Sequence, residues 1–191
     1  MKIINQWGRA LLLLVLSVVM VHCANQEFSV VIVPPVPTLL WAQQLPAGNN
    51  LYISQQPDLD SLVDMIQSQG INQIIRLNGE EGTGITVHQE RMICQQLGVE
   101  FYYFNIESKG DRLNDLRIHR IKGLMTEGNT LVHCKHGVHR AGGVVAAYLR
   151  EYHALSEVAI IDFLHWESLT QNPGVYRRYV EYGLGRKITK T

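Results

Sequence analysis

Cys134 and Arg140, a cysteine and an arginine with five residues between them, are the pair in this chain best suited to covalent chemistry. They lie in Thr130-Leu-Val-His-Cys134-Lys-His-Gly-Val-His-Arg140-Ala-Gly-Gly143, where an apolar run ends in the cysteine and glycines stand at 137, 142 and 143. A helical pattern follows at once, so the order predicts a strand, a tight loop and a helix N-terminus. Such a loop turns successive backbone N–H groups inward, and with the positive end of the helix dipole they make an anion site. The same field favours a thiolate over a thiol, which makes Cys134 the expected nucleophile. Arg140 closes the site, because a planar guanidinium can hold two phosphate oxygens and stabilise the charge that develops on them. The implied chemistry is phosphoryl transfer to sulfur.

The Cys-x5-Arg spacing alone is a weak signal, but a preceding strand and histidine, glycine three residues after the cysteine and an opening helix make it specific. His133-Cys134-Lys135-His136-Gly137-Val138-His139-Arg140-Ala141-Gly142 resembles the signature loop of the cysteine-dependent protein tyrosine phosphatases, in the dual-specificity branch. It is most similar to two subgroups. Exported bacterial dual-specificity-like phosphatases share the His-Cys-Lys-His-Gly opening, and an atypical plant and fungal group that acts on inositol pyrophosphates has a loop of the form His-Cys-Lys-x-Gly-x-His-Arg-Thr-Gly. The resemblance covers about Asn50 to Gly183, with Leu51-Tyr-Ile-Ser-Gln-Gln-Pro57 similar to the entry strand and Gly70-Ile-Asn-Gln-Ile-Ile-Arg-Leu-Asn78 to the next one.

Cleaving a phosphomonoester also needs a proton for the leaving oxygen. The resemblance implies an aspartate on a mobile loop before the signature strand. In Asn105-Ile-Glu-Ser-Lys-Gly-Asp-Arg-Leu-Asn-Asp115 the candidate is Asp111, beside the hinge-forming Gly110, unless it only caps the following helix. Glu107 and Asp115 are the alternates. His133 resembles the family's supporting histidine. Lys135, His136, Gly137, Val138, His139 and Ala141 complete the phosphate loop, and a cationic rim of Lys135, His136 and His139 suits a substrate with several phosphates. Lys135 and the histidines can equally be ordinary solvated side chains. Ala141 departs from the family's usual Ser or Thr, whose hydroxyl helps the thiolate leave in the second step.

These residues need a frame that brings them to one edge. Leu51–Ser54, Ile71–Leu77, Val99–Ile106 and Leu131–His133 read as strands, and they alternate with helices from Leu59, at Thr86–Leu97 and at Leu113–Met125. Val144–Tyr152, Ser156–Trp166 and Val175–Tyr182 read as helices after the loop. The alternation predicts a single α/β domain, a parallel-rich sheet of about four to five strands flanked by helices, like that of the dual-specificity phosphatases. Ligands on such sheets bind beyond the carboxyl ends of the strands, where Cys134 falls.

The chain of 191 residues has room for one such domain, and a net charge of zero with 46% hydrophobic residues gives no sign of bulk nucleic-acid binding. Residues 1–24 read as a signal peptide or an N-terminal membrane anchor, since Lys2 and Arg9 precede the short apolar run Ala10–Val21. Residues 25–49 read as a Pro-rich linker, 50–185 as the catalytic domain and 186–191 as a tail. The protein is therefore expected to be exported, either periplasmic or secreted, or held at the membrane by an uncleaved leader. Cys23, Cys94 and Cys134 have neither a disulfide-framework nor a zinc-ligand spacing. Cys94 reads as a buried apolar residue or as a resolving thiol for Cys134. No metal or cofactor is implied.

The function that follows is a metal-independent phosphomonoester hydrolase acting through phosphocysteine on a phosphoprotein, phosphoinositide or inositol phosphate. A phosphate-binding pseudo-enzyme is the alternative that Ala141 suggests, and a rhodanese-like sulfurtransferase is a third.

Overall fold

The computed structural model describes residues 39–45, 48–80, 84–107 and 115–188. A central sheet of five strands carries the site: β1 (Leu39–Gln44), β2 (Asn50–Gln55), β3 (Gln73–Arg76), β4 (Glu100–Tyr103) and β5 (Thr130–Cys134). Their spatial order is β1-β2-β5-β3-β4, with β2, β5, β3 and β4 parallel and β1 antiparallel along the edge. The last strand in sequence thus lies in the middle, with β2 on one side and β3 on the other. All five residues of β5 are buried, as expected of a parallel strand covered on both faces.

Helices cover the sheet: α1 (Leu59–Gln69), α2 (Val87–Gln96), α3 (Asp115–Leu124), α4 (Arg140–His153), α5 (Glu157–Leu164), α6 (Glu167–Gln171) and α7 (Arg177–Leu184), with a 3-10 turn at Gly174–Tyr176. Local chemistry sets their ends. Asp58 caps α1 by accepting from the Ser61 N–H, and Gly70 stops it in the left-handed region at φ 61°. Thr86 and Gln89 form a reciprocal capping box that starts α2.

Because strand side chains alternate, the sheet has two different faces. On one, Tyr52, Ile74 and Leu131 pack with Leu62 and Met65 of α1 and Cys94 of α2. On the other, Leu51, Ile53, Ile75, Val132 and Cys134 pack with Ile118 and Ile121 of α3, Val144, Val145, Ala146, Tyr148 and Leu149 of α4 and Tyr179 and Val180 of α7.

The expected α/β class and parallel-rich sheet are present. One boundary is corrected: residues 25–49, read as a linker, contribute β1, which pairs with β2 from Leu39 to Gln44. The prolines at 34, 35 and 37 stop before it, and an edge strand pairs on one side while its outward backbone groups are left to solvent. The helix expected from Val144 begins at Arg140, directly out of the loop. The leader, residues 1–24, lies outside the described residues, among which no helix is long and apolar enough to cross a membrane.

Candidate active site

The loop hangs between two neighbouring strand ends. Leu77 N–H donates to the His133 carbonyl at 2.9 Å, and Gln56 N–H to the Lys135 carbonyl at 3.4 Å. Gly137 takes φ 72°, a left-handed conformation that a side chain would strain, and this turn carries the backbone from β5 into α4. Cys134 sits at the base of the turn, 1% exposed. Arg140 is the first residue of α4, buried, with Nη1 donating to the Ile106 carbonyl at 3.0 Å. A cation at a helix N-terminus opposes the helix dipole. Here the first turn has no acidic residue and the N-cap His139 makes no capping hydrogen bond. A helix start arranged like this becomes favourable when an anion sits on it.

Behind the loop, on the opposite face of β5 from Cys134, is a buried charged chain that the sequence alone did not reveal. His133 Nε2 lies 2.7 Å from Glu90 Oε1, and Arg76 Nη1 lies 2.8 Å from Glu90 Oε2. Burial pushes the Glu90 carboxyl up, but His133 and Arg76 outweigh it and hold the group below the usual carboxylate range. The available signal was an arginine inside the β-branched run Ile74-Ile75-Arg76-Leu77, which demands a buried acidic partner.

The rim is less cationic than expected. Lys135 and His136 are exposed, but His139 is half-buried and lies flat against Tyr176, with ring centroids 3.5 Å apart and planes at 14°. Burial, then the charges of His136 and Arg140, push its pKa down to about 4. His139 therefore presents a neutral ring near pH 7. Beside the loop an open pocket of about 200 Å³ is lined by Ile53, Gly137, Val138, Gly142 and the Phe163–Trp166 segment. Gly142 allows the close approach of Trp166, since a Cβ there would lie 2.8 Å from Trp166 Cζ2.

Of the other expected site residues, Ala141 is fully buried in the core against which α4 packs. Asp111 lies outside the described residues, as does the Asp115 side chain. The Glu107 carbonyl accepts a hydrogen bond from the buried Tyr179 hydroxyl, which ties the start of that segment to α7. Cys94 is a free, fully buried thiol on the sheet face away from the Cys134 sulfur. Burial, with Glu90 nearby, pushes it up to about 12. It is the buried apolar residue of the two readings, and a resolving role would require the core to open.

No protein-family model matches the chain. It is 34% identical over 73 residues to dual specificity protein phosphatase 18 of Mus musculus, a match spanning 36% of this chain and 36% of that protein, so only about a third of the relative is represented. Among solved structures, TpbA of P. aeruginosa matches with a TM-score of 0.53 at 19% identity, over 78% of this chain and 92% of that one. A cysteine-to-serine TpbA variant in complex with phosphotyrosine gives 0.54 at 18% identity, over 78% and 91%. A DUF442 protein of Shewanella putrefaciens gives 0.60 at 14%, over 78% and 89%. At these identities the likeness is one of fold. The resemblance to the dual-specificity-like phosphatases read from the loop is borne out.

Proposed function

We propose that the protein is a metal-independent phosphomonoester hydrolase that works through a phosphocysteine on Cys134. The observation that carries this reading is the placement of Cys134 and Arg140 at the two ends of one tight turn. The cysteine ends the central strand, and the arginine opens a helix whose N-terminus no side chain caps. In the first step the Cys134 thiolate attacks phosphorus and the P–O bond to the leaving group breaks. Loop N–H groups and Arg140 hold the non-bridging oxygens, whose charge they stabilise. Asp111 protonates the leaving oxygen. In the second step the Asp111 carboxylate takes a proton from water as the water oxygen attacks phosphorus, the P–S bond breaks, and hydrogen phosphate and the Cys134 thiolate are released with Asp111 protonated again.

Exposed Lys135 and His136 beside the loop favour a substrate carrying more than one phosphate, an inositol phosphate or a phosphoinositide, over an isolated phosphotyrosine. Export, with the leader either removed or retained as an anchor, is part of the same proposal. Ala141 supports one second reading, a phosphate-binding protein with little turnover, because no hydroxyl stands at that position to receive charge from the departing sulfur.

Hydrolysis of a small aryl phosphate tests the first reading against the second. Wild type should release phosphate at an undiminished rate in chelator, while Cys134→Ser binds vanadate but does not turn over, since a serine hydroxyl is far too weak an acid to supply the nucleophile. Binding without release in wild type selects the second reading, and turnover by Cys134→Ser, or loss in chelator, defeats the mechanism.

A further inference from the structure

We infer that Glu90, itself held by Arg76, is a positioning residue for the Cys134 nucleophile and acts through His133. The inference rests on the phosphatase reading only for its consequence in turnover. The geometry stands independently.

Three elements meet under the loop. Arg76 ends β3, Glu90 lies on α2 and His133 precedes Cys134 on β5, with Arg76 and His133 directly paired in the parallel register. The side chains of Arg76, Glu90 and His133 are 2%, 0% and 0% exposed. Both Glu90 oxygens are engaged, one by His133 at 2.7 Å and the other by Arg76 at 2.8 Å. Arg76 is fixed in turn by the carbonyls of Asn78, Gly79 and Ile85, at 3.1, 2.8 and 3.0 Å. A carboxylate can only accept, so Glu90 requires the His133 proton on Nε2. The other nitrogen, Nδ1, is buried without a hydrogen-bond partner among the described residues. Among these residues, Glu90 is therefore the one hydrogen-bond partner that orients the ring within its packing.

A buried ion pair is a poor stabiliser compared with apolar side chains of the same volume. This one lies in a face otherwise packed by Leu62, Met65, Ile74 and Leu131. Its position is explained by what it anchors. With the ring tied to α2 and its carbonyl tied to Leu77, the residue before the nucleophile is fixed on both sides, and the loop N–H groups that must converge on sulfur start from a rigid base.

The sign of one measurement separates this role from the alternatives. Glu90→Gln removes a negative charge from the vicinity of Cys134 and leaves Arg76 with only the more distant, largely exposed Glu80 carboxylate at 3.8 Å. Acting directly through charge, that would make the thiolate easier to form. Acting through His133, it loosens the loop base and makes the thiolate harder to form.

The experiment is the pH dependence of iodoacetamide alkylation of Cys134 in the full chain, followed by mass spectrometry of the Cys134 peptide, for wild type, Glu90→Gln and the charge-balanced Arg76→Met/Glu90→Gln. Weakening the charge-assisted hydrogen bond on His133 to one accepted by a neutral amide oxygen should slow alkylation below the midpoint roughly tenfold in both variants and move the midpoint to higher pH. A lower thermal midpoint with an unchanged alkylation profile would make Glu90 a structural partner of Arg76 only and overturn the inference, as would a shift to lower pH. If Glu90→Gln does not fold, the charge-balanced variant decides alone. Alkylation needs no turnover, so a wild-type protein inactive on every phosphomonoester would defeat the phosphatase reading while leaving this test intact.

Discussion

Replacing His139 with glutamine should make the protein less sensitive to acid. The ring is stacked on Tyr176, and burial, His136 and Arg140 bring its pKa from 6.5 to about 4. The charged ring is therefore disfavoured in the fold and binds its proton more readily in the unfolded chain. Stability falls as pH drops below the unfolded value near 6.5, and the loss is complete at about 4. Counted in full, a shift of that size corresponds to roughly 3 kcal/mol. The ring is only half-buried, so solvent screening reduces the figure to about 1–2 kcal/mol. For a domain of this size that is about 3–6 °C in Tm. Thermal unfolding of wild type and His139→Gln at about pH 7.5 and about pH 4.5 isolates the effect, because the lost stacking on Tyr176 is common to both pH values. The Tm difference should move by that amount in the variant's favour on acidification. An unchanged difference would mean that His139 titrates normally and adds its charge to the rim in mild acid.

Ala141→Ser and Ala141→Thr should raise the steady rate on an activated aryl phosphate and shrink a wild-type burst of product, since a hydroxyl would stabilise charge on the departing sulfur by a few kcal/mol; rapid mixing checks this. Asp111→Asn should slow substrates with poor leaving groups by roughly a hundredfold or more while sparing activated ones. The same pattern in Glu107→Gln alone would reassign the acid. Gly143→Ala places a Cβ 2.8 Å from the Tyr179 carbonyl oxygen, which is backbone and cannot easily yield. The variant should lose about 2–3 kcal/mol by denaturant unfolding, near the upper end of overpacking costs. A loss under about 0.5 kcal/mol, the size of an ordinary surface change, would mean that α4 and α7 separate freely.

The strand, loop and helix around Cys134 were legible because the needed signals are local. An apolar run, the left-handed Gly137 and the helical pattern after Arg140 all fall within one short stretch. The helix at Thr86–Leu97 was legible for the same reason, since its start is set by local chemistry, the capping box of Thr86 and Gln89. The strand β1 was hidden, because an edge strand after a proline-rich stretch is defined by its partner β2 rather than by its own pattern. The role of Glu90 was hidden for a similar reason. On its own helix it is one acidic residue among polar ones, and only the parallel register that sets Arg76 beside His133 gives it two partners. His139 was expected to add charge to the rim, and Tyr176, 37 positions further along the chain, is the ring stacked against it.

The most direct measurement is denaturing the wild-type protein in alkaline detergent within the burst of an activated aryl phosphate, conditions that preserve a P–S bond, followed by peptide mass spectrometry at alkaline pH. The account predicts that the peptide containing Cys134 gains the mass of one phosphoryl group, that the adduct decays at the steady-state rate, and that it is absent from Cys134→Ser. Phosphate release with no adduct on Cys134, or with a phosphoryl group on another residue, would contradict it.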